Sequence, residues 1–176
     1  MIIGSWNVWG LNNTHKQQEV RNWIQFQNLD IVGLLETRIS HNKMEEVQAS
    51  TFPLNWGTIN NIEGNINCRI LVGWNSSKFC VQCVHVIDQW VTCDVSSVGN
   101  PQVTRFTFVY GSNNYSDRVS LWHYLRAESV SNDCIPWSIL GDFNAVLRSN
   151  DRSGGSTIWH SHHNDFSDCV MRASLL

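Results

Sequence analysis

Asp142 and Asn144 stand two residues apart in the stretch W-S-I-L-G-D-F-N-A-V-L, residues 137–147. Ile139 and Leu140 make a short apolar run that Gly141 stops, which reads as a buried strand. A carboxylate and a carboxamide therefore stand at the mouth of a rigid element, where polar groups can be held in fixed geometry. The same residues also suit an ordinary strand-to-turn junction, because Asp and Asn bond their own backbone.

Three further strand ends shift the balance toward chemistry. Asn7 closes the run I-I-G-S-W, Glu36 follows Leu34 and Leu35, and Tyr110 with Asn113 closes V-T-R-F-T-F-V-Y. Each polar group follows a buried apolar run, and they recur in order along the chain. Phosphodiester hydrolysis suits such a set. A carboxylate such as Glu36 can hold Mg²⁺, a hard ion that prefers oxygen ligands and keeps several waters. The metal polarises a phosphoryl oxygen and stabilises the leaving oxygen. A second carboxylate, Asp142, can orient and deprotonate the attacking water. Asn144 and the Tyr110 hydroxyl can bond developing phosphoryl charge.

The elements that must position these groups follow from periodicity. Residues 2–8 read as a first strand and 30–37 as a second, both buried. Between them, Val20, Trp23 and Ile24 recur at helical spacing over 15–28, after Thr14–Gln17 in the form of a capping box. A short helix is expected over 42–50. From residue 54 the period changes to two, giving strands near 55–61, 66–75, 78–87, 89–96 and 103–110, with a hairpin turn at 61–65. Ser116 is the expected cap of a helix that buries Val119, Trp122 and Leu125 and runs to about Val130. A polar stretch, 148–162, then leads to a last helix near 163–174. The pattern implies an α/β (α+β) chain of two face-to-face, mostly antiparallel sheets with helices outside.

Composition narrows the class. The 176 residues are 42% hydrophobic and 15% charged, enough for one folded domain. No apolar run reaches the length of a membrane span. The first residues enter a strand directly, without the basic and apolar regions of a secretory signal. The six cysteines are then expected as reduced thiols of an intracellular protein. The formal charge of −3 gives no global basic footprint for nucleic acid, although a local patch fits within it.

W-N-V-W-G-L-N (6–12), L-L-E-T-R (34–38), Y-G-S-N (110–113) and G-D-F-N (141–144) resemble the ordered motifs of the endonuclease/exonuclease/phosphatase superfamily. Within it they are most similar to the endonuclease domains of plant non-LTR (LINE-type) retrotransposons. The resemblance runs over essentially the whole chain, 1–176, as a single domain. It implies a four-layer sandwich and a DNA-nicking, Mg²⁺-dependent activity in which Mn²⁺ could substitute. It assigns Glu36 as metal ligand, with Asn7 supporting metal and phosphate. Tyr110 and Asn113 contact the scissile phosphate and its surroundings, Asp142 positions the water, and Asn144 assists it. It further implies a monomer that meets DNA and no membrane, in the nucleus if the retrotransposon resemblance holds.

Two departures temper these expectations. The superfamily's closing motifs, a downstream Asp and a terminal Ser-Asp-His, do not occur before Leu176. The resemblance therefore implies an incomplete second sheet and an activity reduced or lost. Alternatives are a catalytically dead retroelement remnant that at most binds nucleic acid, or a phosphatase acting on small phosphoesters. Trp9 also replaces the acidic residue that the repair branch carries two positions after Asn7, which disfavours a repair enzyme.

Other signals carry less. Cys80-x₂-Cys83 with His85 has no second C-x₂-C, so it reads as buried small residues in a central strand, and no zinc is expected. His160, His162 and His163 lie outside the motifs and read as a solvated loop. Arg118 is displaced from the family position after Y-x-x-N, and its default role is solvation on a helix surface.

Overall fold

The computed structural model describes residues 1–62, 67–132, 134–154 and 159–175. The chain packs as two compact units. One comprises Met1–Tyr110 with Pro136–Gly141, the other Gly111–Ile135 with Asp142–Leu176.

The first unit is built on two four-stranded sheets. The first sheet has the order β1-β2-β4-β3, from β1 (Ile3–Asn7), β2 (Ile31–Ser40), β3 (Trp56–Asn60) and β4 (Asn67–Asn75). β1 and β2 run parallel, joined by α1 (Thr14–Phe26), as a parallel pair needs a crossover. β2–β4 and β3–β4 are antiparallel. The second sheet has the order β5-β6-β7-β8, from β5 (Phe79–Val86), β6 (Trp90–Ser97), β7 (Val103–Tyr110) and β8 (Trp137–Asp142). β5–β6 and β6–β7 are antiparallel. The expected α/β fold with two mostly antiparallel sheets is therefore present, and its strand bounds lie within two residues of those read from periodicity, except that β2 runs on to Ser40.

Alternation along β2 explains its unbroken apolar sequence. Val32 and Leu34 face Val20 and Ile24 of α1 and Val47 of α2 (Met44–Thr51). Ile31 and Leu35 face the second sheet, against Phe106, Phe108 and Val91. Gly33 lies between them, and a Cβ there would fall 2.1 Å from the Phe108 ring. The missing side chain is what lets the two sheets close on each other. Beyond that core, the Thr92 and Thr107 hydroxyls bond at 2.9 Å, and Trp137 Nε1 donates to Thr107 at 2.9 Å. Arg105 grips Asp94 across the β6–β7 ladder with two bonds, 2.6 and 2.8 Å.

The second unit holds α3 (Tyr115–Ser131) and α4 (Asp165–Arg172). Phe166 stacks between Trp122 and Phe143, with ring centroids 5.2 and 4.8 Å away, and so joins both helices to the segment after β8.

Several local expectations are corrected. The helix over 15–28 forms, but Asn13, not a Thr14 capping box, caps it by accepting from the His15 amide at 2.8 Å. Gln17 turns inward instead and donates to the Leu11 carbonyl at 2.9 Å. Asn114, not Ser116, caps α3. β5 is an edge strand rather than a central one, and Cys80 and Cys83 are exposed on it. Cys93 opposite Cys83 is buried, and that burial, with Cys83 and Asp94 nearby, pushes its thiol up to about 12. The turn expected at 61–65 falls largely on residues 63–66, and Gly155 and Leu176 likewise lie outside the described residues.

Candidate active site

The first unit gathers Asn7, Glu36 and Tyr110. Past the end of β1 the chain keeps bonding to β2, from Val8 N to Leu35 O at 3.0 Å, Gly10 N to Glu36 O at 2.7 Å and Leu11 N to Thr37 O at 2.7 Å. On its other edge β2 loses register with β4 between Leu35 and Ile39. Within this bulge Glu36 and Arg38 take φ of +55° and +54°, in the left-handed region that bulky residues avoid. Backbone held in this region costs on the order of 1–3 kcal/mol per residue and is found where function sustains it.

The bulge brings three donors to one carboxylate. Asn7 Nδ2 donates to Glu36 Oε2 at 3.1 Å, and the Arg38 guanidinium pairs with Oε1. The Tyr110 hydroxyl donates to the same carboxylate. Burial, then the Glu36 charge and this hydrogen bond, pushes the phenol above its ordinary value, against Arg38 and Arg69. Tyr110 is therefore a protonated donor at neutral pH. Asn7 Oδ1 accepts from the Trp9 amide at 3.0 Å, which fixes the direction of its amide group. Trp9 itself has φ of +46° and is 72% exposed, with the Arg38 guanidinium carbon 5.9 Å from the ring centre.

The second unit gathers Asp142, Asn144 and Asn113. Asp142 ends β8, and its Oδ1 accepts from the Asn144 amide at 3.0 Å. Asn144 has φ of +47°, and its Nδ2 donates to the Gly111 carbonyl at 2.7 Å. The Gly111 amide in turn donates to the Asp142 carbonyl at 2.8 Å. These bonds lock the end of β8 to the turn that follows β7. Arg118 Nη1 braces that turn, donating to Ser112 O at 2.6 Å and Asn113 O at 3.2 Å.

Beside these groups lies a cavity of about 320 Å³. Asn113 and Asn144 line it, together with Tyr115, Arg118, Arg152, His162 and His163. The histidine segment is thus not simply solvated, since His162 and His163 are half-buried against this cavity. Loss of water, with His163 and His160 close by, pushes His162 below the ordinary histidine range.

Sequence alone assigns Arg38 no role and leaves Arg118 to solvation on a helix surface, whereas Arg118 braces the turn after β7. Arg38 stands two residues from Glu36 on a strand, so both side chains share a face, and this spacing was its available signal. Arg118 had none, because its contacts join the start of α3 to a turn before it.

The Glu36 carboxylate suits a hard cation. Glu36 supplies a carboxylate, whereas Asn7 turns its Nδ2 to Glu36 and its Oδ1 to the Trp9 amide, so its oxygen would reach a cation only after the amide turns over. Among the described residues no three His, Cys, Asp or Glu side chains come together to hold a metal by themselves. A cation at Glu36 would therefore depend on waters and phosphate oxygens, which is how Mg²⁺ is commonly bound.

No curated protein matches the chain. Among solved structures, an AP endonuclease from Leishmania major superposes with a TM-score of 0.70 at 14% identity, covering 96% of this chain and 65% of that one. The endonuclease domain of TRAS1, a telomere-specific non-LTR retrotransposon, gives 0.68 at 10% identity, covering 96% and 68%. A mannosyl-6-phosphatase from Bacteroides thetaiotaomicron gives 0.63 at 12% identity, covering 94% and 69%. The chain spans less than two thirds of the length of the Leishmania structure. These likenesses show a shared fold. The family model for the Endonuclease/Exonuclease/phosphatase family matches residues 4–170, nearly the whole sequence, and the chain belongs to that family.

Proposed function

We propose that the chain is a Mg²⁺-dependent endonuclease that nicks DNA, of the type carried by plant non-LTR retrotransposons. On this reading residues 1–176 act as one domain and as a monomer, in the nucleus. The observation that carries it is the Glu36 carboxylate, held on a bulge as the shared acceptor of Asn7, Arg38 and Tyr110. When bound at Glu36 and Asn7, Mg²⁺, or Mn²⁺ in its place, would polarise the phosphoryl oxygen and stabilise the leaving oxygen.

The chain's own groups do the rest. Asn7 holds the carboxylate in one orientation. Tyr110, whose single hydroxyl hydrogen lies on Glu36 here, would turn it to a phosphate oxygen when substrate and cation occupy the site. Asp142, its carboxylate fixed by the Asn144 amide, orients water and takes its proton as the new P–O bond forms and the bond to the leaving oxygen breaks. Asn144 keeps the second hydrogen of its Nδ2 for phosphate. Asn113 contacts the flanking phosphate.

Two other readings each have one supporting observation. The Arg38 guanidinium already occupies a Glu36 oxygen, which favours a chain that binds nucleic acid without cutting it. The mannosyl-6-phosphatase shares the fold, which supports action on small phosphoesters.

One assay separates the three: supercoiled plasmid and a sugar phosphate are each incubated with purified protein, in Mg²⁺ and in EDTA, beside Asp142→Ala. The nuclease nicks plasmid in Mg²⁺ only, loses this in the variant, and leaves the sugar phosphate intact. Release of phosphate without nicking supports the phosphatase. A folded protein that does neither supports the catalytically dead form, which at most binds nucleic acid.

A further inference from the structure

The histidine segment stacks into a column of rings. Tyr115 and His162 have centroids 4.2 Å apart and planes 18° from parallel. His162 and His160 follow at 5.5 Å and 10°. Tyr115 is half-exposed, and both it and His162 line the cavity of the second unit. Arg118 and Arg152 line the same cavity, and Asp165 is the one acidic group on its wall among the described residues. Asn113 and Asn144 add carboxamides.

Aromatic faces, guanidinium groups and carboxamides within one cavity match the parts of a nucleotide. A base has a π-face to stack, a phosphate takes guanidinium donors, and base edges take amide hydrogen bonds. In a duplex the base faces are already stacked on their neighbours. An aromatic column offers them nothing unless the nucleotide is unpaired.

We propose that this cavity seats an unpaired nucleotide of a DNA strand, with its base stacked on the Tyr115–His162 column and its phosphate against Arg118 and Arg152. The proposal rests on the nuclease reading in taking DNA as the polymer. It requires no cleavage.

The test is binding in EDTA by fluorescence anisotropy. Two labelled single strands of equal length and charge are compared, an oligothymidylate and its fully abasic counterpart. The wild-type protein binds the oligothymidylate about fivefold tighter or more. Tyr115→Ala brings the two within about twofold, while Tyr115→Phe, which keeps the ring, retains the preference. Arg152→Ala weakens both strands alike and leaves the preference in place. Asp142→Ala, which abolishes nicking on the nuclease reading, keeps the preference, so the two ideas fail separately. His162→Ala, in the short 3₁₀ helix Ser161–Asn164, repeats the Tyr115 test if that variant melts early. Equal affinity for the two strands, a preference that survives both ring deletions, tighter binding of duplex, or no binding by folded protein overturns the proposal.

Discussion

Glu36 sits between hydrogen-bonded strands and offers its carboxylate to three protein donors, while Asp142 stands at a strand end and accepts from the amide of Asn144, which lines a cavity. The first arrangement is fixed by ladder bonds on both sides of a strained bulge. The second is fixed by short loops, one arginine and a helix start. On the proposed nuclease reading, the difference is a division of the demands of phosphoester chemistry, with Glu36 as metal ligand and the second unit meeting the polymer. A metal ligand gains from rigidity and a preset orientation, whereas a polymer substrate needs an accessible cavity with aromatic and cationic walls.

The largest effect is expected where a sheet meets the Asp142 segment. Gly141 has φ of +151°, and a Cβ there would fall 2.0 Å from the Val109 carbonyl oxygen. Gly141→Ala should lower stability by about 3 kcal/mol or more, read by urea denaturation. Ordinary melting of this variant would show that the end of β8 is softer than the β2 bulge.

Next comes a polar anchor at the foot of the first sheet. Asp30 is buried, accepts from Lys78 Nζ at 2.8 Å and from the Ile2 amide at 2.9 Å. Burial pushes its carboxyl up, but the Lys78 and Ile2 hydrogen bonds and the Lys78 charge outweigh this and hold it below its ordinary value. Since the unfolded chain takes the proton more readily, Asp30 stabilises the fold above the unfolded value of about 3.9. That contribution is lost as pH falls through the lower folded value. Asp30→Asn should therefore cost about 2 kcal/mol at pH 7, with the gap to wild type closing in acid. An undiminished gap at low pH would assign the effect to packing rather than charge.

The smallest effects compare the two helix starts. Asn13→Ala and Asn114→Ala each remove a cap and should cost about 1 kcal/mol. Only Asn114→Ala should also weaken oligothymidylate binding, because it frays the helix start that carries Tyr115. Equal binding by both variants would separate the ring column from the helix cap.

Much of this was legible in the sequence for physical reasons. β2 reads as apolar because it is covered on both faces, and Glu36 shows as the polar residue that ends the Leu34–Leu35 run. The bulge was not legible, since Glu36 and Arg38 reach positive φ with no glycine to mark it. Thr14–Gln17 had the pattern of a cap, but Asn13 lay one residue earlier and the Leu11 carbonyl gave Gln17 a buried partner. The C-x₂-C stretch misled because strand order is a tertiary property, and β5 is at an edge. The histidines looked solvated because the ring that stacks on His162, Tyr115, lies forty-seven residues before it.

The proposed function requires Glu36 and Asp142 to serve one reaction. Plasmid nicking in Mg²⁺ by Glu36→Ala, Asp142→Ala and the double variant tests this directly. Each single change should slow nicking by about a hundredfold or more, and the double variant should be little slower than the worse single one, as for groups acting as a unit. Wild-type nicking by either folded single variant, or losses that simply multiply, would contradict it.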